Sequence, residues 1–298
     1  MASRKKFQGT GTALVTPFKK DGSLDESALR RLVDHQVRGG VEAIVPVGTT
    51  GESPSLNHAE YERVFEIVNE QAKGKVKIFG GAGSNSTQTA IEHARLVQTM
   101  GLDAALIVGP YYNKPTQEGY FQHYRAIADA VDIPIIVYNV PGRTGGNIEA
   151  ATTLRLAEEI PNIVAVKEAS GNLAQIMEIA RNKPKDFSLL SGDDAMTLPL
   201  VSVGGDGCIS VVANEIPRAF SDMVRACLKG KWSTALELHN KFLPLMTVNF
   251  IESSPIPVKA ALAMMGLIEE VYRLPLVRIQ EKNREKLRAV LAGLKLVR

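Results

Sequence analysis

Ile163-Val164-Ala165-Val166-Lys167-Glu168-Ala169 is an apolar run broken near its end by two charged residues. It reads as a fully buried parallel strand, of the kind covered on both faces. In a strand of period two, Lys167 shares a face with Ile163 and Ala165 while Glu168 points to the other, so the two neighbours are not a routine surface ion pair. Burial disfavours the charged form of an amine and moves it towards nucleophilicity, which suits attack on a carbonyl. The alternative is a lysine whose stem lines the strand end and whose ammonium snorkels to solvent. The architecture decides between them, because catalytic side chains sit at the carboxyl ends of barrel strands.

Outward from that strand, residues 9 to 214 alternate short apolar runs with amphipathic segments, the signature of repeated βα units. Eight strand candidates emerge: Gly11 to Phe18, Ala43 to Val47, Lys77 to Gly81, Ala104 to Val108, Pro134 to Asn139, Ile163 to Ala169, Phe187 to Ser191 and Gly207 to Val212. Between them, Leu29, Leu32, Val33 and Val37, then Tyr61, Val64, Phe65 and Val68, then Leu173, Ile176, Met177 and Ala180 make helical stripes. Asn57 with Glu60 has the form of a capping box. An open doubly wound sheet is the rival, yet no glycine fingerprint for a dinucleotide follows a strand. The spacing therefore predicts an α/β chain, a closed (β/α)8 TIM barrel over residues 1–224 with a C-terminal helical extension over 225–298 packed on it.

Composition narrows the partners. A net charge of +3, from 35 basic and 32 acidic residues, creates no field for nucleic acid, which leaves a small-molecule substrate. Cys208, in an apolar run, and Cys227, in a helical pattern, offer neither a disulfide framework nor metal-ligand spacing and read as buried thiols of a cytoplasmic protein. The histidines at 35, 58, 93, 123 and 239 also lack ligand spacing, so no catalytic metal is expected. The start, Met1-Ala2-Ser3-Arg4-Lys5-Lys6-Phe7, is basic without a following apolar stretch, and no apolar run of about 18 or more residues occurs, so no membrane association is expected.

In a barrel, the residues just after each strand converge on one mouth. After the second strand, Gly48-Thr49-Thr50-Gly51-Glu52-Ser53 supplies hydroxyls and amides suited to a carboxylate, or simply turn and cap chemistry. After the fourth, Pro110-Tyr111-Tyr112-Asn113-Lys114-Pro115 presents two phenols, which also suit a subunit contact. Tyr138, ending the fifth strand, stands one strand before Lys167 at the same height and suits proton relay, unless it is a satisfied core tyrosine. Arg143, in the glycine-flanked loop beyond, has the fork that grips carboxylates but also fits a solvated loop. After the seventh strand, Gly192 permits close approach of backbone, and Asp193 with Asp194 suggests a cap more than a metal or acid–base couple.

Taken together, Gly48-Thr49-Thr50-Gly51-Glu52, Tyr138-Asn139-Val140-Pro141-Gly142-Arg143-Thr144-Gly145 and Val166-Lys167-Glu168-Ala169-Ser170-Gly171 resemble the dihydrodipicolinate synthase family of the pyruvate-dependent class I aldolase superfamily. Pro110-Tyr111-Tyr112-Asn113 and Ser191-Gly192-Asp193-Asp194 narrow the resemblance towards that family, and the match spans nearly the whole chain. It implies that Lys167 forms a Schiff base with pyruvate. The enamine would attack L-aspartate 4-semialdehyde, and the substrate's amine would then displace the lysine and close the ring of 4-hydroxy-tetrahydrodipicolinate. It implies a hydroxyl relay of Tyr138, Thr49 and Tyr112, with Tyr112 reaching into a neighbouring subunit's site. Thr50 would hold the pyruvate carboxylate and Arg143 the semialdehyde carboxylate, with the backbone of Gly192 and Ile209 as site wall. A cytoplasmic homotetramer, a dimer of dimers, is implied, with no organic cofactor.

The resemblance also implies an allosteric lysine site, of which Ser53, His58, Asn85 and Tyr111 are present. Tyr61 and Thr89 stand where lysine-sensitive enzymes of one large group carry histidine and glutamate, so weak or absent feedback is expected. Two other readings stay open. One is a sister aldolase acting on N-acetylneuraminate or 2-keto-3-deoxy sugar acids, against which Arg143 argues because a sugar chain asks for neutral partners. The other is a non-catalytic ligand-binding paralogue on the same barrel.

Overall fold

The computed structural model describes residues 6–297; Met1 to Lys5, most of the basic start noted above, and Arg298 lie outside the described residues. Among the described residues the strands are β1 (Gly9–Ala13), β2 (Ala43–Val45), β3 (Lys77–Gly81), β4 (Ala104–Val108), β5 (Ile135–Asn139), β6 (Ile163–Glu168), β7 (Ser188–Ser191) and β8 (Gly207–Ser210). They run parallel in sequence order as a closed barrel, the (β/α)8 architecture expected. The helices are α1 (Glu26–Gly39), α2 (His58–Ala72), α3 (Thr87–Thr99), α4 (Gln117–Ala128), the single turn α5 (Pro141–Thr144), α6 (Ala150–Glu159), α7 (Leu173–Asn182), α8 (Thr197–Ser202), α9 (Pro217–Leu228), α10 (Trp232–Val248), α11 (Ile256–Met264) and α12 (Glu281–Gly293). No helix among the described residues is long and apolar enough to cross a membrane.

The chain forms two compact units. One comprises Phe79–Ile209 with residues 6–9. Its strands are largely buried, and Ile135, Val137, Ile163 and Val166 are fully buried, each worth roughly 1.5–3 kcal/mol in removed apolar surface. Gly9 N donates to Asp206 O at 3.0 Å, and Gly207 comes so close that a Cβ there would stand 2.0 Å from Gly9 O. Only glycine fits that approach.

The register between β5 and β6 changes along the pair. Ile135 pairs with Ile163, but Ile136 pairs with Ala165, and the new register carries Tyr138 onto Lys167 and Asn139 onto Glu168. The extra residue is a bulge, so Ile163 lies on the opposite face from Ala165 and Lys167, correcting the strict alternation expected.

The other unit comprises Thr10–Ile78 and residues 210–297. Here α2 starts with the expected capping box, Asn57 Oδ1 accepting from Glu60 N and Glu60 Oε2 from Asn57 N, both at 3.0 Å. Leu29, Leu32, Val33, Tyr61, Val64, Phe65 and Val68 are buried as their spacing predicts. The boundary expected at residue 224 falls inside α9, because the apolar stripe of that helix continues through Cys227 and stops only near Gly230. The helices beyond the barrel repeats begin at Trp232.

One stripe is misread from sequence. In α7 the buried face is Gln175, Ile176 and Ile179, while Leu173 and Met177 are 38% and 46% exposed. A polar side chain sets the rotation of this helix, for a reason that lies at the end of β6.

Candidate active site

Lys167 is 5% exposed at the carboxyl end of β6, and its Nζ lies 4.0 Å from the ring centroid of Tyr138, itself 6% exposed on β5. The snorkelling alternative fails, because the ammonium rests on an aromatic face instead of solvent. A cation over a ring in a dry site gains on the order of 2 kcal/mol, and the contact also fixes where the nitrogen sits. Gly192 backs the lysine stem: a Cβ there would stand 3.0 Å from Lys167 Cε and 2.6 Å from Ala169 Cβ. The site wall therefore needs glycine. Ile209 is fully buried on β8.

Glu168 points to the other side of β6 and is 1% exposed. Its Oε1 accepts from Ser170 N at 2.7 Å, and its Oε2 accepts from Asn139 Nδ2 at 3.0 Å and Gln175 Nε2 at 3.1 Å. None of these donors is a cation. Asn139 Nδ2 also donates to Asn147 Oδ1 at 2.8 Å, Asn147 Nδ2 to Gln175 Oε1 at 2.8 Å, and Ile148 N to Asn139 Oδ1 at 2.9 Å. The excursion from Asn139 to Ile148 is thus stitched at its base, and α5, with an exposed Arg143, lies within it.

The loop after β4 belongs to the same unit. Tyr112 is 89% exposed with φ +70°, and Tyr111 is 38% exposed. Tyr112 N donates to Thr144 O at 3.3 Å, which ties this loop to the segment carrying Arg143. Asn113 Nδ2 donates to Asn85 O at 2.9 Å, bringing Asn85 beside the tyrosine loop. Thr89 N donates to the Ser86 N-cap. Of the paired aspartates, Asp193 Oδ1 accepts from Ala195 N at 2.9 Å, a turn role as expected, and Asp194 is buried with Cys208 Sγ 3.6 Å from its Oδ1. Burial pushes the Cys208 thiol well above its ordinary range, so it is no nucleophile.

In the other unit, Thr49 is half-buried and Thr50 buried in the turn after β2, where Gly51 N and Ser53 N both donate to Gly48 O. Thr16 Oγ1 donates to Gly51 O at 2.7 Å. Glu52 follows with φ +55°, 3% exposed, and accepts a hydrogen bond from Lys259 Nζ, a fully buried ammonium on α11. Lys259 also lies 4.4 Å from the Phe18 ring centroid. Desolvation pushes its pKa down, against the pull of Glu52. Ser53 is half-buried, His58 is exposed beside Glu62 at 3.3 Å, and Tyr61 is 8% exposed in an edge contact with Phe65.

The structure therefore gathers Lys167, Tyr138 and Gly192 around one buried amine, links the Tyr112 loop to the Arg143 segment, and places Thr49 and Thr50 in a separately anchored turn. Sequence reasoning missed Glu52, Lys259 and the amides around Glu168. Lys259 was legible, since Ile256-Pro257-Val258-Lys259-Ala260-Ala261-Leu262 is a lysine in an apolar run, the same signal as Lys167. Among the described residues no three of His, Cys, Asp and Glu gather as a metal ion requires.

The sequence model of the dihydrodipicolinate synthetase family matches residues 6–294. A 4-hydroxy-tetrahydrodipicolinate synthase of Koribacter versatilis (strain Ellin345) is 57% identical over 288 residues, 96% of each chain. Among solved structures, the chloride-inhibited dihydrodipicolinate synthase of Acinetobacter baumannii, complexed with pyruvate, is 44% identical with a TM-score of 0.95, covering 97% of this chain and 99% of that one. A monomeric dihydrodipicolinate synthase variant is also 44% identical with a TM-score of 0.96, covering 98% of each.

Proposed function

The chain belongs to the dihydrodipicolinate synthetase family, and we propose that Lys167 carries its reaction, the condensation of pyruvate with L-aspartate 4-semialdehyde to 4-hydroxy-tetrahydrodipicolinate on the route to diaminopimelate and lysine. The observation that supports this assignment is the buried amine of Lys167 over the Tyr138 ring.

The amine attacks the ketone carbon of pyruvate and expels water, giving an iminium whose positive charge sits at the former Nζ. The Tyr138 face that attracts the ammonium attracts this cation as well, so the contact survives the step. Loss of a methyl proton gives the enamine, whose carbon bonds to the aldehyde carbon of the semialdehyde while the aldehyde oxygen takes up a proton to become the hydroxyl and the iminium re-forms. The amine of that substrate then adds to the iminium carbon, the Lys167 nitrogen leaves, and the ring closes with the lysine free again.

Tyr138, Thr49 and Tyr112 move protons in these steps. Thr50 holds the pyruvate carboxylate, Gly192 and Ile209 line the site, and the exposed Arg143 fork takes the carboxylate of the semialdehyde. An 89% exposed phenol on a loop suits a role in a neighbouring subunit's site, in keeping with a homotetramer built from dimers in which Tyr112 is shared.

Borohydride reduction in the presence of pyruvate, followed by peptide mass mapping, tests the assignment. The expected adduct is on Lys167 in wild type and absent from Lys167→Ala, with turnover lost in that variant. An adduct on another lysine would sink it.

A further inference from the structure

We infer that Glu168 is a positioning residue for the reaction: its carboxylate, held by Asn139, Gln175 and Ser170, locks β6 against β5 in the register that places Lys167 over Tyr138, and steadies the segment bearing Arg143. The inference rests on the Schiff-base reading of Lys167.

The bulge is the first ground. Within one strand pair β5 and β6 use two registers, and a slip by one residue would turn Lys167 to the opposite face of the strand. Something must fix the upper register. Asn139 and Glu168 are the pair next above Tyr138 and Lys167 and project to the other side, so their bond fixes the same step of the ladder from behind.

The direction of the hydrogen bonds is the second ground. Asn139 cannot turn its amide over, because its Oδ1 is committed to Ile148 N. Gln175 cannot either, because its Nε2 also donates to Ile148 O at 3.2 Å. Ser170 offers a backbone N–H. Backbone groups thus orient three donors at one carboxylate, and only a group with two acceptor oxygens satisfies them. The arrangement also explains why Gln175 lies on the buried side of α7. A buried carboxylate with no cation is retained at the expense of desolvation, so it has geometry to set.

A mere packing role would lower stability alone. A positioning role lowers the chemical step in molecules that are folded. Wild-type trapping of pyruvate first tests the Schiff-base reading by itself. In Glu168→Gln an amide NH2 replaces one acceptor oxygen and faces Asn139 and Gln175. We expect kcat and the borohydride trapping rate to fall at least about tenfold at temperatures where circular dichroism shows the variant folded, and KM for the semialdehyde to rise. Asn139→Asp added to Glu168→Gln reverses the polarity of their bond and is expected to recover part of the loss. Gln175→Leu, which removes one of the carboxylate's three donors together with the bonds of Gln175 to Asn147 and Ile148, is expected to lower kcat severalfold, and it decides the matter if Glu168→Gln does not fold. Wild-type kcat and trapping in a folded Glu168→Gln, or in Gln175→Leu where it stands alone, would overturn the inference.

Discussion

Two buried carboxylates, one in each unit, follow residues proposed for the chemistry along the chain and are held in opposite ways. Glu168, next to Lys167, takes its hydrogen bonds from amides and a backbone N–H, whereas Glu52, two residues beyond Thr50, takes one from the ammonium of Lys259, 207 residues away in sequence. Amide bonds are directional and fix an angle and a register. An ion pair is strong but less particular about direction, and it suits fastening a turn to a distant helix. The two carboxylates therefore lead to different expected failures. Damage behind Lys167 is expected in the rate, and damage behind Thr49 and Thr50 in the stability of the fold.

The sharpest way to break this contrast is Lys259→Met. It strands Glu52 as a buried carboxylate without its cation, which costs roughly 3–5 kcal/mol, and the melting temperature is expected to fall by roughly 5–15 °C. The double variant Glu52→Gln with Lys259→Met removes both charges and is expected to cost less than the single one, because an apolar or neutral replacement escapes the desolvation of two ions. Thermal unfolding of the four proteins measures the cycle. A loss below about 1 kcal/mol in Lys259→Met would mean that the pair behaves as a solvent-screened contact, and the contrast would collapse.

A buried base without a counter-ion sharpens the comparison from the other side. His123 on α4 is 5% exposed, its Nδ1 is 2.9 Å from Thr87 Oγ1, and burial pulls its pKa down from 6.5 to about 4. The unfolded chain binds a proton here near pH 6.5 and the folded chain only near pH 4. Its contribution is therefore whole above the higher value and is lost as the pH falls through that window. A shift of this size corresponds to about 3 kcal/mol. Urea unfolding at neutral pH and near pH 4 is expected to show His123→Phe losing correspondingly less stability on acidification than wild type. Equal losses in the two proteins would place the acid sensitivity in the carboxylates instead.

What the sequence disclosed follows the same division. Periodicity disclosed the barrel, because eight apolar runs bounded by turn residues leave few other ways to bury them. It marked Lys167 and Tyr138 as candidates because charge and hydroxyl at a strand end contradict their surroundings. It did not disclose the bulge in β6, since one extra residue in a uniformly apolar strand changes no local pattern. Nor did it disclose the Glu168 network, whose members, Asn139, Asn147, Ser170 and Gln175, come from three separate stretches and look individually like turn and surface residues. Lys259 carries the same signal as Lys167, a charge in an apolar run, but lies in a helix beyond the barrel repeats, where no strand end marks it as a site residue.

The smallest effect concerns a carboxylate that is missing. At the two positions where the resemblance to one large group of lysine-sensitive enzymes implies glutamate and histidine, this chain has Thr89, whose backbone N–H serves the N-cap of α3, and Tyr61, buried against Phe65. Neither replacement offers an anion to an incoming ammonium. The absence of a charge-assisted contact typically weakens binding by about 1.5–3 kcal/mol, or roughly ten- to a hundredfold. Steady-state rates with added L-lysine are expected to show inhibition only well above the micromolar range. Restoring the carboxylate with Thr89→Glu should then tighten inhibition, and do so without altering kcat in its absence, because Thr89 lies outside the Lys167 cluster. Micromolar inhibition of the wild type would show that another acceptor replaces the glutamate, and that at this site, unlike at Glu52, the charge is dispensable.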